Sequence, residues 1–253
     1  MFTKAIVRKP CPNMVKGITS SRLGQPDYQN ALRQHANYVD VLKKCGLQVT
    51  VLEGNDDFPD SVFVEDTALI TSKCAIITNP GAQSRKGEIV DMEIALKSFF
   101  PKIEYIVSPG TLDAGDVMMV DNHFYVGISQ RTNKVGADQL IAILKSYEIT
   151  GSSVSLKNVL HLKTGISYIE KNNMLACGEF LTKQEFGKFN IIEVPMDESY
   201  AANSLWINGK VLVPKGFPKT LNRIKKTGCE TIEVDVSEFR KLDGGLSCLS
   251  LRF

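Results

Sequence analysis

A recurring spacing of polar residues inside apolar segments constrains this 253-residue chain more than any single motif. Glu65 to Asp113 and Asp113 to His161 each span 48 residues, His161 to Asn203 spans 42, and Asn203 to Cys248 spans 45. The surrounding segments repeat one order: helix, strand, loop, strand, hairpin, strand. In the first copy Tyr28, Ala31, Leu32, Tyr38, Val39 and Leu42 fall at helical spacing over 27–45, and Gly46 reads as the stop. Residues 47–52, 62–70 and 74–78 then read as strands. A second copy gives a helix over 87–99 and strands over 103–107, 111–120 and 124–127. A third gives a helix over 135–147 and strands over 153–156, 159–168 and 173–177. Weaker copies occupy 202–206 with 211–213, and 242–251.

Self-similarity at a period of 40–50 residues signals an array. Helix-containing units with short strands fit a closed ring of five α/β modules, which leaves only protected sheet edges. Register then gathers Glu65, Asp66, Asp113, His161 and Cys248 around one axial pocket. The competing reading is five unrelated half-buried strands.

Charge excludes several function classes. Thirty Lys plus Arg stand against 28 Asp plus Glu, a net charge of +2 with no long block of one sign. That balance gives no reason to expect nucleic acid or an anionic membrane as partner. No apolar run approaches the roughly 20 residues that span a bilayer, and the start of the chain reads as a strand rather than a leader. Six scattered cysteines, without a C-x-x-C pair, read as reduced thiols of a cytoplasmic protein.

Three histidines are candidates for chemistry. His35, on the first helix, reads as structural or solvated, and His123 as an exposed residue of a hairpin turn. His161 sits in the apolar run Val-Leu-His-Leu; it is either a bonded core residue or, given its register with Cys248, a catalytic one. Cys248 lies in Asp-Gly-Gly-Leu-Ser-Cys, where two glycines allow close approach, while the other five cysteines read as small core residues. A thiol needs a nearby cation or base to become reactive.

The carboxylates Asp60, Glu65, Asp66, Asp113 and Asp116 lie among apolar neighbours, where they need a cationic partner. A metal is disfavoured, because neither Glu-Asp nor Asp-x-x-Asp has the pattern of a metal site. A guanidinium, whose planar fork matches carboxylates, is one alternative. Internal salt bridges to Arg85 or Arg131 are the other. No glycine-rich phosphate loop is present, which disfavours a nucleotide-dependent mechanism.

Segments 17–24, 58–66, 80–85, 112–116, 131–133, 160–163, 200–203 and 243–248 together resemble the dimethylarginine dimethylaminohydrolase family. That family lies within the guanidine-modifying (arginine deiminase and amidinotransferase) superfamily, and the resemblance is closest to short bacterial members and covers essentially the whole chain. It implies one catalytic domain over 1–253 with the five-module ββαβ propeller, or pentein, fold and a central axial active site. It further implies hydrolysis of Nω-methylated arginine to citrulline and a methylated amine, without a cofactor or metal. By position, Cys248 resembles the nucleophile, His161 the general acid and base, and Asp113 the carboxylate beside that histidine. Glu65 and Asp66 resemble the guanidinium-binding pair, and Arg85 and Arg131 the arginines that hold the substrate carboxylate. Asp60 and the backbone carbonyl of Leu242 resemble ligands of the α-amino group, and Ile18 falls in a lid. Close bacterial relatives can carry Glu where this chain has Asp113. A related hydrolase acting on free arginine, or a silent arginine-binding module, remains open. A homodimer is compatible with the sequence, although no patch in it marks an interface.

Overall fold

The computed structural model describes all 253 residues. Fifteen strands form five three-stranded sheets, each built on one plan. Strands β1 (Lys4–Arg8) and β2 (Gln48–Leu52) join β15 (Leu251–Arg252) in one sheet, so the two ends of the chain complete a module. The others are β3 (Ala68–Ile70), β4 (Ala75–Ile77) and β5 (Ile103–Tyr105), then β6 (Val117–Val120), β7 (His123–Ile128) and β8 (Thr150–Ser155). They continue with β9 (Ile166–Tyr168), β10 (Asn173–Ala176) and β11 (Asn190–Glu193), and β12 (Leu205–Ile207), β13 (Lys210–Pro214) and β14 (Glu230–Val234). In every sheet the middle strand pairs antiparallel with one neighbour and parallel with the other, the register of Ala5 with Arg252 and Val49 being one case.

A parallel partner demands a crossover, and here it is usually helical. Helix α1 (Tyr28–Lys44) links β1 to β2, α2 (Ile89–Lys97) links β4 to β5, α3 (Lys134–Ser146) links β7 to β8, and α5 (Pro218–Lys225) links β13 to β14. Asp27 caps α1 by accepting the Asn30 N–H at 2.7 Å, and Asn133 caps α3 by accepting that of Gly136 at 2.8 Å. The β10–β11 crossover departs from the helical plan: single 3-10 turns at Gly178–Thr182 and Gln184–Phe186 replace the helix.

The chain divides into two compact units, 1–64 with 165–253, and 65–164. In the first, α1 turns Ala31, Tyr38 and Leu42 onto Val7, Leu212, Val234 and Phe239. In the second, α3 turns Ala137, Leu140 and Leu144 onto Val117, Phe124 and Val126. Burying each such large aliphatic or aromatic side chain is worth about 1.5–3 kcal/mol before cavity terms. No helix is long and apolar enough to cross a membrane.

Several local expectations are corrected. Residues 62–70 are not one strand: Val64–Thr67 form a 3-10 turn and only Ala68–Ile70 extend. The same device precedes β6, where Ala114–Asp116 turn, and β9, where Leu162–Gly165 form the short α4. Turns at Met196–Ala202 and Ser247–Leu249 do so before β12 and β15. The repeated polar residues therefore lie in or directly beside short helical turns at the entry of one strand of each sheet, not in the strands. Short apolar runs have no periodicity that separates these forms. His123 is the first residue of β7, not a turn residue; its ring nitrogens meet the Thr150 and Ser152 hydroxyls, both at 2.8 Å.

Candidate active site

In the unit 65–164, the turn at 64–67 buries Glu65 and Asp66, and the turn at 114–116 has Asp113 immediately before it. His161 directly precedes α4, and its backbone N–H donates to the Thr164 hydroxyl at 3.3 Å. These turns bring Asp66, Asp113 and His161 together, with ligand-type atoms within 4.8 Å of one another. The His161 Nε2 lies 3.3 Å from Asp113 Oδ2. Gly115 makes the approach of Asp66 and His161 feasible: a Cβ there would stand 2.8 Å from Asp66 Oδ1 and 2.9 Å from His161 Nδ1. Its N–H instead donates to Asp66 Oδ1 at 2.9 Å.

The charges of this cluster are mutually compensated. Burial disfavours a charged His161 ring, but Asp66, the Asp113 hydrogen bond and Asp116 outweigh it and raise the imidazole pKa to about 9. Burial likewise opposes ionisation of Asp66, yet the charges of His161 and Arg85 prevail and hold its carboxyl below the usual range. Arg85 Nη1 lies 2.5 Å from Asp66 Oδ2, and Glu88 takes the Nε and Nη2 side of the same guanidinium. Arg131 Nη1 stands 4.0 Å from Asp113 Oδ2. The trio could in principle ligate a transition metal. A metal would have to displace the proton of a histidine with a raised pKa, beside an arginine already paired to Asp66, which makes it a poor metal site.

Arg85 is thus ion-paired with both Asp66 and Glu88. Glu65 is met by a residue that sequence reasoning did not single out: Lys163 Nζ lies 2.6 Å from Glu65 Oε1. Lys163 lies two residues after His161, on the short α4 that His161 precedes.

In the other unit, Cys248 lies within the turn Ser247–Leu249 and is half-buried. The Gly245 N–H points at its sulfur at 3.3 Å. This loop is pinned from several sides. Asn203 accepts the Ser247 N–H at 2.9 Å and donates to the Ser247 hydroxyl at 3.0 Å. The Tyr200 hydroxyl donates to the Gly244 carbonyl at 2.7 Å, and that of Tyr38 to the Leu246 carbonyl at 2.9 Å. A Cβ on Gly245 would come within 2.6 Å of the Asn203 amide, so the glycine is required by that packing.

Asp60 is buried and accepts the Ile18 N–H at 3.0 and 3.2 Å, while the Ile18 side chain is exposed. Asp243 accepts the N–H and hydroxyl of Ser20, and Thr19 donates to the Lys241 carbonyl at 2.9 Å. The segment carrying Ile18 is thus tied to the loop containing Leu242. His35 is buried in α1, and its pKa is lowered to about 4, chiefly by desolvation.

The family model described as "N,N dimethylarginine dimethylhydrolase, eukaryotic" matches residues 21–250. The N(G),N(G)-dimethylarginine dimethylaminohydrolase of Pseudomonas aeruginosa is 55% identical over 100% of both chains. A crystal structure of the Pseudomonas aeruginosa enzyme, a cysteine-to-serine mutant complexed with citrulline, superimposes with a TM-score of 0.99 at 54% identity and 100% coverage of both chains. A histidine-to-glycine variant of a dimethylarginine dimethylaminohydrolase, an adduct with S-methyl-L-thiocitrulline, gives the same TM-score, 0.99, and coverage of 100% of both chains. The fold is accordingly the five-module α/β propeller, the pentein fold, that the repeat predicts. On sequence and structure alike, this chain belongs to the dimethylarginine dimethylaminohydrolase family.

Proposed function

We propose that this protein hydrolyses Nω-methylated arginine to citrulline and methylamine or dimethylamine, with Cys248 as nucleophile and His161 as acid and base. The observation that carries the mechanism is the carboxylate cluster at His161: Asp66 and Asp113 close on the ring, Asp113 Oδ2 lying 3.3 Å from Nε2, and raise its pKa to about 9. An amine cannot leave as an anion, so a proton donor of this kind is what the first step needs.

Glu65 and Asp66 orient the guanidinium, which competes with Lys163 for Glu65. Arg131 attracts the substrate carboxylate, aided by the charge of Arg85, whose guanidinium is held by Asp66 and Glu88. Asp60 and the Leu242 carbonyl receive the α-ammonium, and Ile18 covers the bound molecule. The substrate's positive charge and the Gly245 N–H favour the thiolate of Cys248. Fixed orientation makes the attack effectively unimolecular. The sulfur adds to the guanidinium carbon, His161 gives its proton to the methylated nitrogen, and that carbon–nitrogen bond breaks. A thiouronium remains on Cys248. His161, now neutral, takes a proton from water, the oxygen adds to the same carbon, and the carbon–sulfur bond breaks to give citrulline. One water is consumed and one amine released, and the steps balance without an oxidant or metal.

Six free cysteines support a reduced, cytoplasmic setting, and residues 1–253 act as one catalytic domain. The test is product release from asymmetric dimethylarginine, monomethylarginine and arginine. Citrulline with a methylated amine supports this reading. Turnover of arginine alone, or of none of the three, contradicts it.

A further inference from the structure

Asp116 has no part in the steps above, yet it is fully buried and its surroundings are built around it. A buried carboxylate is costly unless donors satisfy it. Three converge on this one. The Ser129 hydroxyl donates to Oδ2 at 2.6 Å, the Thr132 hydroxyl to Oδ2 at 2.7 Å, and the Leu162 N–H to Oδ1 at 2.9 Å.

Each donor leads on to a residue with a role in the proposed chemistry. The Ser129 oxygen accepts the Arg131 N–H at 2.9 Å, which fixes the turn carrying that guanidinium. The Thr132 oxygen accepts the Asp113 N–H at 3.2 Å, fixing the carboxylate that faces the His161 ring. Leu162 follows His161 directly, so its N–H sets where the histidine leaves the chain and enters α4. Burial works against ionisation here and raises the Asp116 pKa to about 6, with His161 and the three donors acting in the opposite sense.

We propose that Asp116 is a positioning residue that holds the Arg131 turn, Asp113 and the His161 segment in one register. The arms end at opposite ends of the substrate: the anchor for its carboxylate and the proton donor at its guanidinium. Errors of about 1 Å in such an alignment cost about 10²-fold in rate. The roles of Arg131 and His161 rest on the function proposed above, whereas the network itself does not.

A buried aspartate could equally do no more than stabilise its turn. Two charge-neutral variants separate the readings, because Ser129→Ala and Thr132→Val each cut one arm and leave Asp116 in place. With only three histidines, replacing His35 and His123 in turn assigns the His161 ring signals for an NMR titration. Thr132→Val is expected to lower the His161 midpoint by about half a pH unit or more, and to reduce kcat about tenfold. Ser129→Ala is expected to leave that midpoint in place and raise KM for methylated arginine about tenfold with kcat held. Asp116→Asn should show both effects. Variants that keep the wild-type midpoint, KM and kcat, or that lose only melting temperature, overturn the assignment. A wild-type protein inactive on methylated arginine would overturn the proposed function alone, since the titration still decides the role of Asp116.

Discussion

Lys163 sets its ammonium 2.6 Å from Oε1 of Glu65, in an ion pair whose side chains are 15% and 4% exposed. Removing the cation from a carboxylate this buried takes away a charge that compensates it, at a cost on the order of 3 kcal/mol. Lys163→Met is therefore expected to lower the urea midpoint clearly, and adding Glu65→Gln should recover much of the loss. The double-mutant cycle in urea measures this directly. Equal, additive losses from both changes would mean that the pair contributes nothing in common.

Asp66 contributes most to holding the charge on His161, and Asp113 adds to it through the 3.3 Å contact with Nε2. The folded His161 pKa of about 9 lies above the ordinary 6.5, so its stabilisation is complete below 6.5 and is lost as pH rises through 9. Activity that needs the protonated ring should fall over the same alkaline range. Asp113→Asn is expected to move the alkaline limb of kcat/KM downward by about one unit. The pH profile checks this, and an unmoved limb would detach Asp113 from the proton transfer.

His35 behaves in the opposite sense. Its ring is buried, bonded to the Arg8 backbone, and leaves Nε2 without a partner. A folded pKa of about 4 against 6.5 means that the unfolded chain binds the extra proton between those values. Stability should thus decline as pH falls from 6.5 towards 4, by on the order of 1–3 kcal/mol from this residue. Replacing His35 with Gln should flatten that slope in urea melts at pH 7 and pH 4.5, whatever it does to the absolute value.

Gly245 tests how tightly the nucleophile loop is set. A Cβ there would meet the Asn203 amide at 2.6 Å and displace the group that accepts the Ser247 N–H. Gly245→Ala should lower kcat by about 10²-fold while costing only about 1–3 kcal/mol of stability. Stopped assays beside thermal melts would distinguish this from simple unfolding.

The modular plan was legible because helices such as α1 and α3 keep an apolar stripe at 3.6 residues and because the polar position recurs at nearly constant spacing. What the sequence concealed is local. The run Val62-Phe-Val-Glu-Asp reads as a strand because its apolar content is high, yet Glu65 and Asp66 are buried on a 3-10 turn. The single turns before β3, β6 and β9 have too few residues to show any period. Partners such as Lys163 for Glu65, or Ser129 and Thr132 for Asp116, come from separate segments, and pairwise contacts of that kind leave no mark in one sequence. The glycines flagged near Cys248 did signal close approach. The neighbour against Gly245, the Asn203 amide, emerges only from the fold.

The proposed chemistry turns on covalent catalysis by Cys248. The most direct measurement is acid quenching of the protein during turnover of monomethylarginine, followed by peptide mass analysis. A thiouronium-bearing adduct is expected on the peptide containing Cys248, with loss of both adduct and citrulline in Cys248→Ser. An adduct on another residue, or full turnover by Cys248→Ser, would contradict it.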